Sequence, residues 1–331
     1  MTLEQLVAVV KALGMPRFKA SQIAKWLYDK RVTVIESMTD LSRAERQRLA
    51  EVYCVGRETP IEEHTSVDGT VKCLFRGAPG RDIEAVYIPD GERATVCVSC
   101  QAGCRMGCAF CATGRGGWQG NLSAAQILNQ VLSIPGAGNL TNIVFMGMGE
   151  PADNIDPVLQ AIEVLTAKWG MAWSPKRITV STVGANLPNL VRLLDETKVH
   201  LALSLHNPFA GKRALIMPAE RITPVAKVLD LFRHYDFSRQ RRLSVEYVMW
   251  RGENDDVRHA TRLAALLRGL DCRVNLIRYH ALPGDSLQPP ATSQMEAFRD
   301  FLNSRGITAT IRTSRGEDIA AACGQLSGSK G

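Results

Sequence analysis

The chain runs to 331 residues, 45% hydrophobic and 22% charged, which excludes a disordered chain and allows a large core without disulfides. The longest uncharged stretch, 116–149, is broken by Gln119, Asn121, Gln126, Asn129, Gln130, Pro135 and Asn139, so it is excluded as a bilayer span; the first fifteen residues, with Glu4 and Lys11, lack signal-peptide features. The net charge of +7 is compatible with a nucleic-acid partner and is unevenly spread: residues 205–245 hold eight Lys or Arg, including Lys212, Arg213, Arg239, Arg241 and Arg242, against three Asp or Glu.

Residues 1–55 read as a helical module. Leu6, Val7, Val10 and Leu13 recur at helical spacing, as do Ile23, Trp26 and Leu27, and a third helix is expected over 43–53. Residues 56–90 change to strand alternation at 70–75 and 83–88, with Gly77, Pro79 and Gly80 as the turn, so a β-hairpin extension is expected. From 91 to 314, short β-branched runs alternate with amphipathic segments. Strands are expected at 94–99, 142–146, 177–181, 200–205, 243–249, 273–278 and 308–312. Helices are expected at 124–132, 155–167, 187–194, 223–233, 257–267 and 293–302. Ser123 and Gln126 make a capping box, with Leu122 and Ile127 as its hydrophobic staple. The class is α/β: a parallel sheet whose right-handed crossovers curl it towards a barrel, with functional loops after the C-terminal ends of the strands.

The expected location is the cytoplasm, where the nine cysteines stay reduced and grouped thiols mean metal binding or catalysis. Cys104, Cys108 and Cys111 are spaced C-x3-C-x2-C in a Gly-rich loop after the first core strand. Thiolates so close in sequence can wrap one polynuclear centre. A [4Fe–4S] cube normally takes one Cys per iron, so three would leave one iron open to a ligand. A zinc ion recruiting a fourth ligand from elsewhere is the competing reading. After the second strand, in Gly147-Met148-Gly149-Glu150-Pro151, a carboxylate beside glycine backbone suits an ammonium ligand held close to the main chain.

This loop on a β/α chain resembles the radical-SAM enzymes. The resemblance implies a partial (β/α)6-type radical-SAM barrel over 91–314, an N-terminal helical accessory domain (1–55), the β-hairpin extension (56–90), and a C-terminal segment (315–331). It narrows to the RlmN/Cfr family of RNA adenosine methyltransferases. The motifs are CVSCQ at 97–101, Ser181-Thr182, Ser204-Leu205-His206, Asn275-Leu276-Ile277 and RGEDIAAACGQL at 315–326, together with 17–28 and 38–41 in the helical module.

The resemblance implies a [4Fe–4S] cluster on Cys104, Cys108 and Cys111. It also implies contacts to S-adenosylmethionine from Gly149, Glu150, Ser181, Ser204, Leu205, His206 and, where the family has Asn, His280. Methylation of an electron-poor adenine ring carbon then needs a thiol carrier. One S-adenosylmethionine methylates Cys323, a second supplies the radical that activates that methyl group, and Cys97 releases the product by forming a disulfide with Cys323. Glu84 matches the family's proton acceptor, although strand alternation alone makes it a solvent-side residue. Cys100, where the family often has Ser, reads as a small buried residue. The implied partners are 23S rRNA, with tRNA as a further substrate, and an electron donor such as flavodoxin or ferredoxin; the chain is expected to act as a monomer. Residues 205–245 would supply phosphate contacts. Carbon-2 methylation is favoured by Gly149-Glu150-Pro151, whereas Arg278-Tyr279 and the short tail after Cys323 lean to Cfr-like carbon-8 methylation. A radical-SAM enzyme acting on a protein or small molecule, and a non-catalytic RNA-binding protein with a structural cluster, remain as alternatives.

Overall fold

The structure is a computed structural model that describes residues 1–78, 81–239, 241–282 and 284–328. Helices α1 (Leu3–Ala12), α2 (Lys19–Tyr28) and α3 (Arg43–Val52) form the N-terminal module. Two of them start at full capping boxes, Thr2 with Gln5 and Ser42 with Glu45, which satisfy amides that helix geometry leaves unpaired. Their apolar stripes bury Leu6, Val10, Ile23 and Trp26. The module is tied to the rest of the chain by Arg31 donating to the Ala137 carbonyl (3.1 Å) and by an edge contact of Tyr28 with Trp169.

Strands β1 (Glu62–Thr65), β2 (Val71–Ala78) and β3 (Arg81–Asp90) follow. β2 and β3 are the expected hairpin, extended at both ends; Pro79 and Gly80 of its turn lie outside the described residues. The hairpin is not a separate appendage. β3 pairs antiparallel with β4 (Arg93–Cys97), and β4 opens a parallel series, so one ten-stranded sheet runs through both regions among the described residues. After β4 comes a small second sheet, β5 (Gln101–Gly103) and β6 (Trp118–Asn121), with the short helix α4 (Ala112–Arg115) between its strands.

The parallel series continues through β7 (Asn142–Phe145), β8 (Ile178–Thr182), β9 (His200–Ser204), β10 (Leu243–Met249), β11 (Cys272–Arg278) and β12 (Thr308–Ile311), each paired with the next. Between them run α5 (Ala124–Ser133), α6 (Ile155–Thr166), α7 (Leu187–Glu196), α8 (Ala210–Ile216), α9 (Ala219–Ile222), α10 (Val225–Phe232), α11 (Val257–Leu266) and α12 (Thr292–Ser304). This is the expected α/β partial barrel. Its strands are legible because helices cover them and both faces are apolar, as in β10, where only Ser244 is not buried. α5 starts at the Ser123–Gln126 box with Leu122 and Ile127 both buried. No helix among the described residues is long and apolar enough to cross a membrane.

The basic segment 205–245 needs correcting. Arg213 is fully buried and Arg241 nearly so, and Arg241 donates to the Leu194 and Thr197 carbonyls where α7 ends. These two cations hold the interior together and are not available to phosphates.

Candidate active site

One cavity opens at the C-terminal ends of the parallel strands. Cys104, Cys108 and Cys111 line it together with Gly149, Glu150, Ser181, Ser204, His206, Glu246, Arg312 and Cys323. The cysteine loop leaves β5 and enters α4, so the chain turns sharply enough to present all three thiols inward. Burial pushes Cys104 up to about 12 and Cys108 also upward, so without a metal both are protonated and inert. Among the described residues no three His, Cys, Asp or Glu side chains converge as they would around a single ion. The three thiols instead share one cavity wall, which suits a multi-iron centre because each iron takes its own thiolate.

Glu150 follows β7 and is buried. Its carboxylate accepts from Thr182 Oγ1 (2.5 Å), the Val183 amide (2.9 Å) and the Ala152 amide (3.2 Å). Desolvation outweighs these donors and lifts the carboxyl to about 7. The glycine before it lines the cavity and is also required by the polypeptide itself. Gly149 has φ +102°, and a Cβ there would lie 2.6 Å from Gln101 Cβ. Gly149→Ala is therefore expected to cost about 1–3 kcal/mol in denaturant unfolding.

His206 ends β9 in the left-handed region at φ 56°. Asn254 holds that turn by donating to the His206 carbonyl (2.8 Å). Nδ1 accepts the Val248 amide (3.0 Å), which assigns the proton to Nε2. Burial, with Arg213 adding to it, lowers this imidazole to about 3, so it is a neutral donor.

Arg213 donates to the carbonyls of Leu205 (3.0 Å), Ser204 (2.9 Å) and Val183 (3.1 Å), and pairs with the buried Glu220. It thus clips together the chain leaving β8 and β9, beneath Ser204 and His206. Removing it leaves the buried Glu220 carboxylate with only the Val225 amide (2.9 Å) and no counter-charge. Arg213→Met should destabilise the protein by about 3–5 kcal/mol, read from its denaturation midpoint.

Two residues that the sequence reading missed face the same cavity. Glu246 sits among the apolar residues of β10. Its Oε1 accepts from Ser244 (2.8 Å) and Asn275 (2.8 Å), while the buried Oε2 has no hydrogen-bond partner and faces Arg312 at 3.7 Å. An unpartnered carboxylate oxygen in a ligand-sized cavity fits a cofactor carrying hydroxyl or amino donors. Its only signal in the sequence is a lone carboxylate in a buried strand. Arg312 ends β12, and its charge is favoured by Cys323, Glu246 and Cys97 around it.

Cys323 arrives from the far end of the chain. The Gly316 amide donates to Asp68 (3.0 Å), and Asp318 accepts from Ser66 Oγ (2.5 Å) and the Val67 amide (3.2 Å), which fixes the segment on the β1–β2 turn. Beyond Cys323, the Gly324 carbonyl accepts the Ala112 amide (2.7 Å) and the Leu326 carbonyl accepts Thr113 Oγ1 (2.5 Å). The tail thereby crosses α4 with an exposed Cys323 between the anchors. Cys97 is buried behind it at the end of β4. Burial and then Cys323 push its thiol up to about 12, while the Met146 amide and Arg312 pull it down. All nine cysteines are free thiols.

Four predicted residues lie apart from this cavity lining: Cys97, behind Cys323, and three others. Leu205 is fully buried and offers only its carbonyl, to Arg213. His280 lines an adjoining cavity that shares Arg312 and Cys323, with Nε2 3.0 Å from Ser314 Oγ. Glu84 is buried, not solvent-facing: it pairs with Lys72 (3.2 Å) and accepts the amides of Ser327 (2.7 Å) and Gly328 (3.0 Å). Cys100 is buried as expected.

The sequence model of the Radical SAM superfamily matches residues 98–264, and that of the ribosomal RNA large subunit methyltransferase N-terminal domain matches residues 1–55. A probable dual-specificity RNA methyltransferase RlmN of Porphyromonas gingivalis is 56% identical over 330 residues, covering 100% of this chain and 96% of its own. The dual-specificity RNA methyltransferase RlmN of Halorhodospira halophila is 44% identical over 98% of this chain and 91% of its own. The chain belongs to the RlmN family. A radical SAM methyltransferase from Sphaerobacter thermophilus superposes with a TM-score of 0.93 at 41% identity, covering 99% of this chain and 98% of that one. RlmN membership makes the protein an S-adenosylmethionine-dependent RNA methyltransferase of the radical-SAM type, with a [4Fe–4S] cluster and S-adenosylmethionine as its cofactors.

Proposed function

We propose that this RlmN-family enzyme methylates carbon 2 of an adenosine in 23S rRNA and in tRNA, with Cys323 as methyl carrier and Cys97 as the thiol that releases the product. The observation that carries this reading is the placement of Cys323, delivered by a doubly anchored tail into the cavity lined by Cys104, Cys108 and Cys111. Those three thiols would hold the cluster, and Glu150, Ser181, Ser204 and His206 surround the space for S-adenosylmethionine. When bound, these cofactors supply a methyl group to a thiolate and, on reduction, a 5′-deoxyadenosyl radical.

The protein's own groups supply the rest. Cys323 would carry the methyl group as a thioether; that carbon, having given one hydrogen atom to the deoxyadenosyl group, would bond to the adenine ring, whose own hydrogen leaves as a proton while the unpaired electron returns to the cluster. Arg312 stands beside both thiols and offsets part of the burial that raises Cys97. The Cys97 thiolate then attacks the Cys323 sulfur, forming a disulfide as the sulfur–carbon bond breaks; that bond's electron pair stays on the carbon, which takes a proton to become the methyl group of the released base. Glu84 takes the ring proton once it gives up the Ser327 and Gly328 amides, which hold it in this conformation. Carbon 2 is preferred over carbon 8 because the full-length relatives are RlmN enzymes. Nuclease digestion of treated RNA, with chromatography against authentic 2-methyladenosine and 8-methyladenosine, tests it; 8-methyladenosine as product would overturn the assignment.

Glu150 makes cofactor binding pH-dependent. In the free protein its carboxyl is protonated below about 7, and an ammonium ligand needs the anion. Affinity for S-adenosylmethionine is expected to be flat above that pH and to fall about tenfold per unit below it, as equilibrium dialysis across pH 5.5–8 would show.

A further inference from the structure

Radical chemistry at this site consumes electrons, and the surface over the cysteine loop shows where they enter. The inner side of that loop faces the cavity, but Arg105, Gly107 and Ala109 are exposed on its outer side. α8 and α9 lie against the loop: the Ala109 amide donates to the Ile216 carbonyl (2.9 Å), and Met106, Phe110 and Cys111 pack with Ile216, Met217 and Ala219. These helices carry Leu215 and Ile222, 69% and 70% exposed, two large apolar side chains close together in the chain and open to a partner. Cations flank them. Lys212 makes a loose pair with Glu253 (3.8 Å), Arg105 one with Asp153 (3.8 Å) while also lying over the Trp118 ring, and Arg221 has no ion pair among the described residues.

We propose that this face, centred on Leu215, Arg221 and Ile222, is the docking surface for a small acidic one-electron carrier protein. The inference rests on the reading of Cys104, Cys108 and Cys111 as the cluster ligands. Electron transfer weakens steeply with distance, and here one loop separates those thiols from solvent. An apolar centre with a cationic rim matches an acidic partner whose association is electrostatically steered and short-lived. One electron leaves the carrier's cofactor, oxidising it by one equivalent, and lowers the cluster's charge by one. RNA, the other polyanion, must reach the cavity mouth where Cys323 is exposed.

The test pairs binding with turnover in the full-length protein. Leu215→Glu and Arg221→Glu are compared with Arg268→Glu, an exposed site in the turn before β11 at the other end of the barrel. Bacterial flavodoxin serves as the probe. Its affinity, read by surface plasmon resonance without any turnover, should fall at least tenfold in the first two variants and remain unchanged in the third. Flavodoxin-driven cleavage of S-adenosylmethionine should fall in parallel, while dithionite-driven cleavage stays at the unmodified level. Unchanged flavodoxin affinity would overturn the proposal. So would a matching loss of RNA affinity in gel shifts, which would make this an RNA surface. Failure of the unmodified protein to cleave S-adenosylmethionine even with dithionite would sink the cluster reading itself.

Discussion

Cys323→Ala is expected to abolish methyl transfer to RNA while S-adenosylmethionine is still cleaved. Cys323 is the exposed thiol of the cavity; Cys97 and Cys108 beside it are held protonated by burial. Cys104, Cys108 and Cys111 are the thiols that would hold the cluster, so no other thiol lining the cavity is left to act as a carrier. The substitution removes only an exposed Sγ, and the anchors at Gly316, Asp318, Gly324 and Leu326 use backbone groups or other side chains, so the tail should keep its place. Transfer of labelled methyl groups should fall by more than about a thousandfold, over 4 kcal/mol in barrier. 5′-Deoxyadenosine should still appear by chromatography. Full methylation by the variant would remove Cys323 from the reaction.

Cys97→Ala is expected to fail later. The base becomes joined to the protein through Cys323, and release needs a second thiolate positioned to attack that sulfur. Cys97 lies beside Cys323; burial and Cys323 raise its thiol, while the Met146 amide and Arg312 act in the opposite direction. Cys100 is also buried but near Glu150, Cys104 and Asp153, which push it the wrong way, so it cannot substitute. The variant should stop after less than one turnover, with RNA covalently attached to protein in a denaturing gel and released by protease. A gel showing only free protein beside normal product would contradict the resolving role.

The parallel strands were legible because a sheet covered by helices needs apolar, often β-branched residues on both faces, and such runs stand out at 142–145, 178–182 and 243–249. β1 escaped notice since Glu62–Thr65 is a polar, largely exposed edge strand with no buried face to mark it. α8 and α9 are too short for a helical period to emerge. Charge was the most misleading signal. Arg213 and Arg241 look like members of a basic patch, yet each spends its donors on interior carbonyls. Glu84 likewise fits an exposed position by alternation, but the tail and Lys72 bury it.

Local order in the chain by itself determined the cysteine loop, the strand–helix repeat and the capped helices, because each depends on residues a few positions apart. Only the tertiary structure decided that residues 316–326 return to the β1–β2 turn and α4, and so which thiols meet. That return is made by hydrogen bonds such as Ser66 to Asp318, 252 positions apart. Partners so distant leave no periodic trace in sequence, since what joins them is the packing of the sheet between.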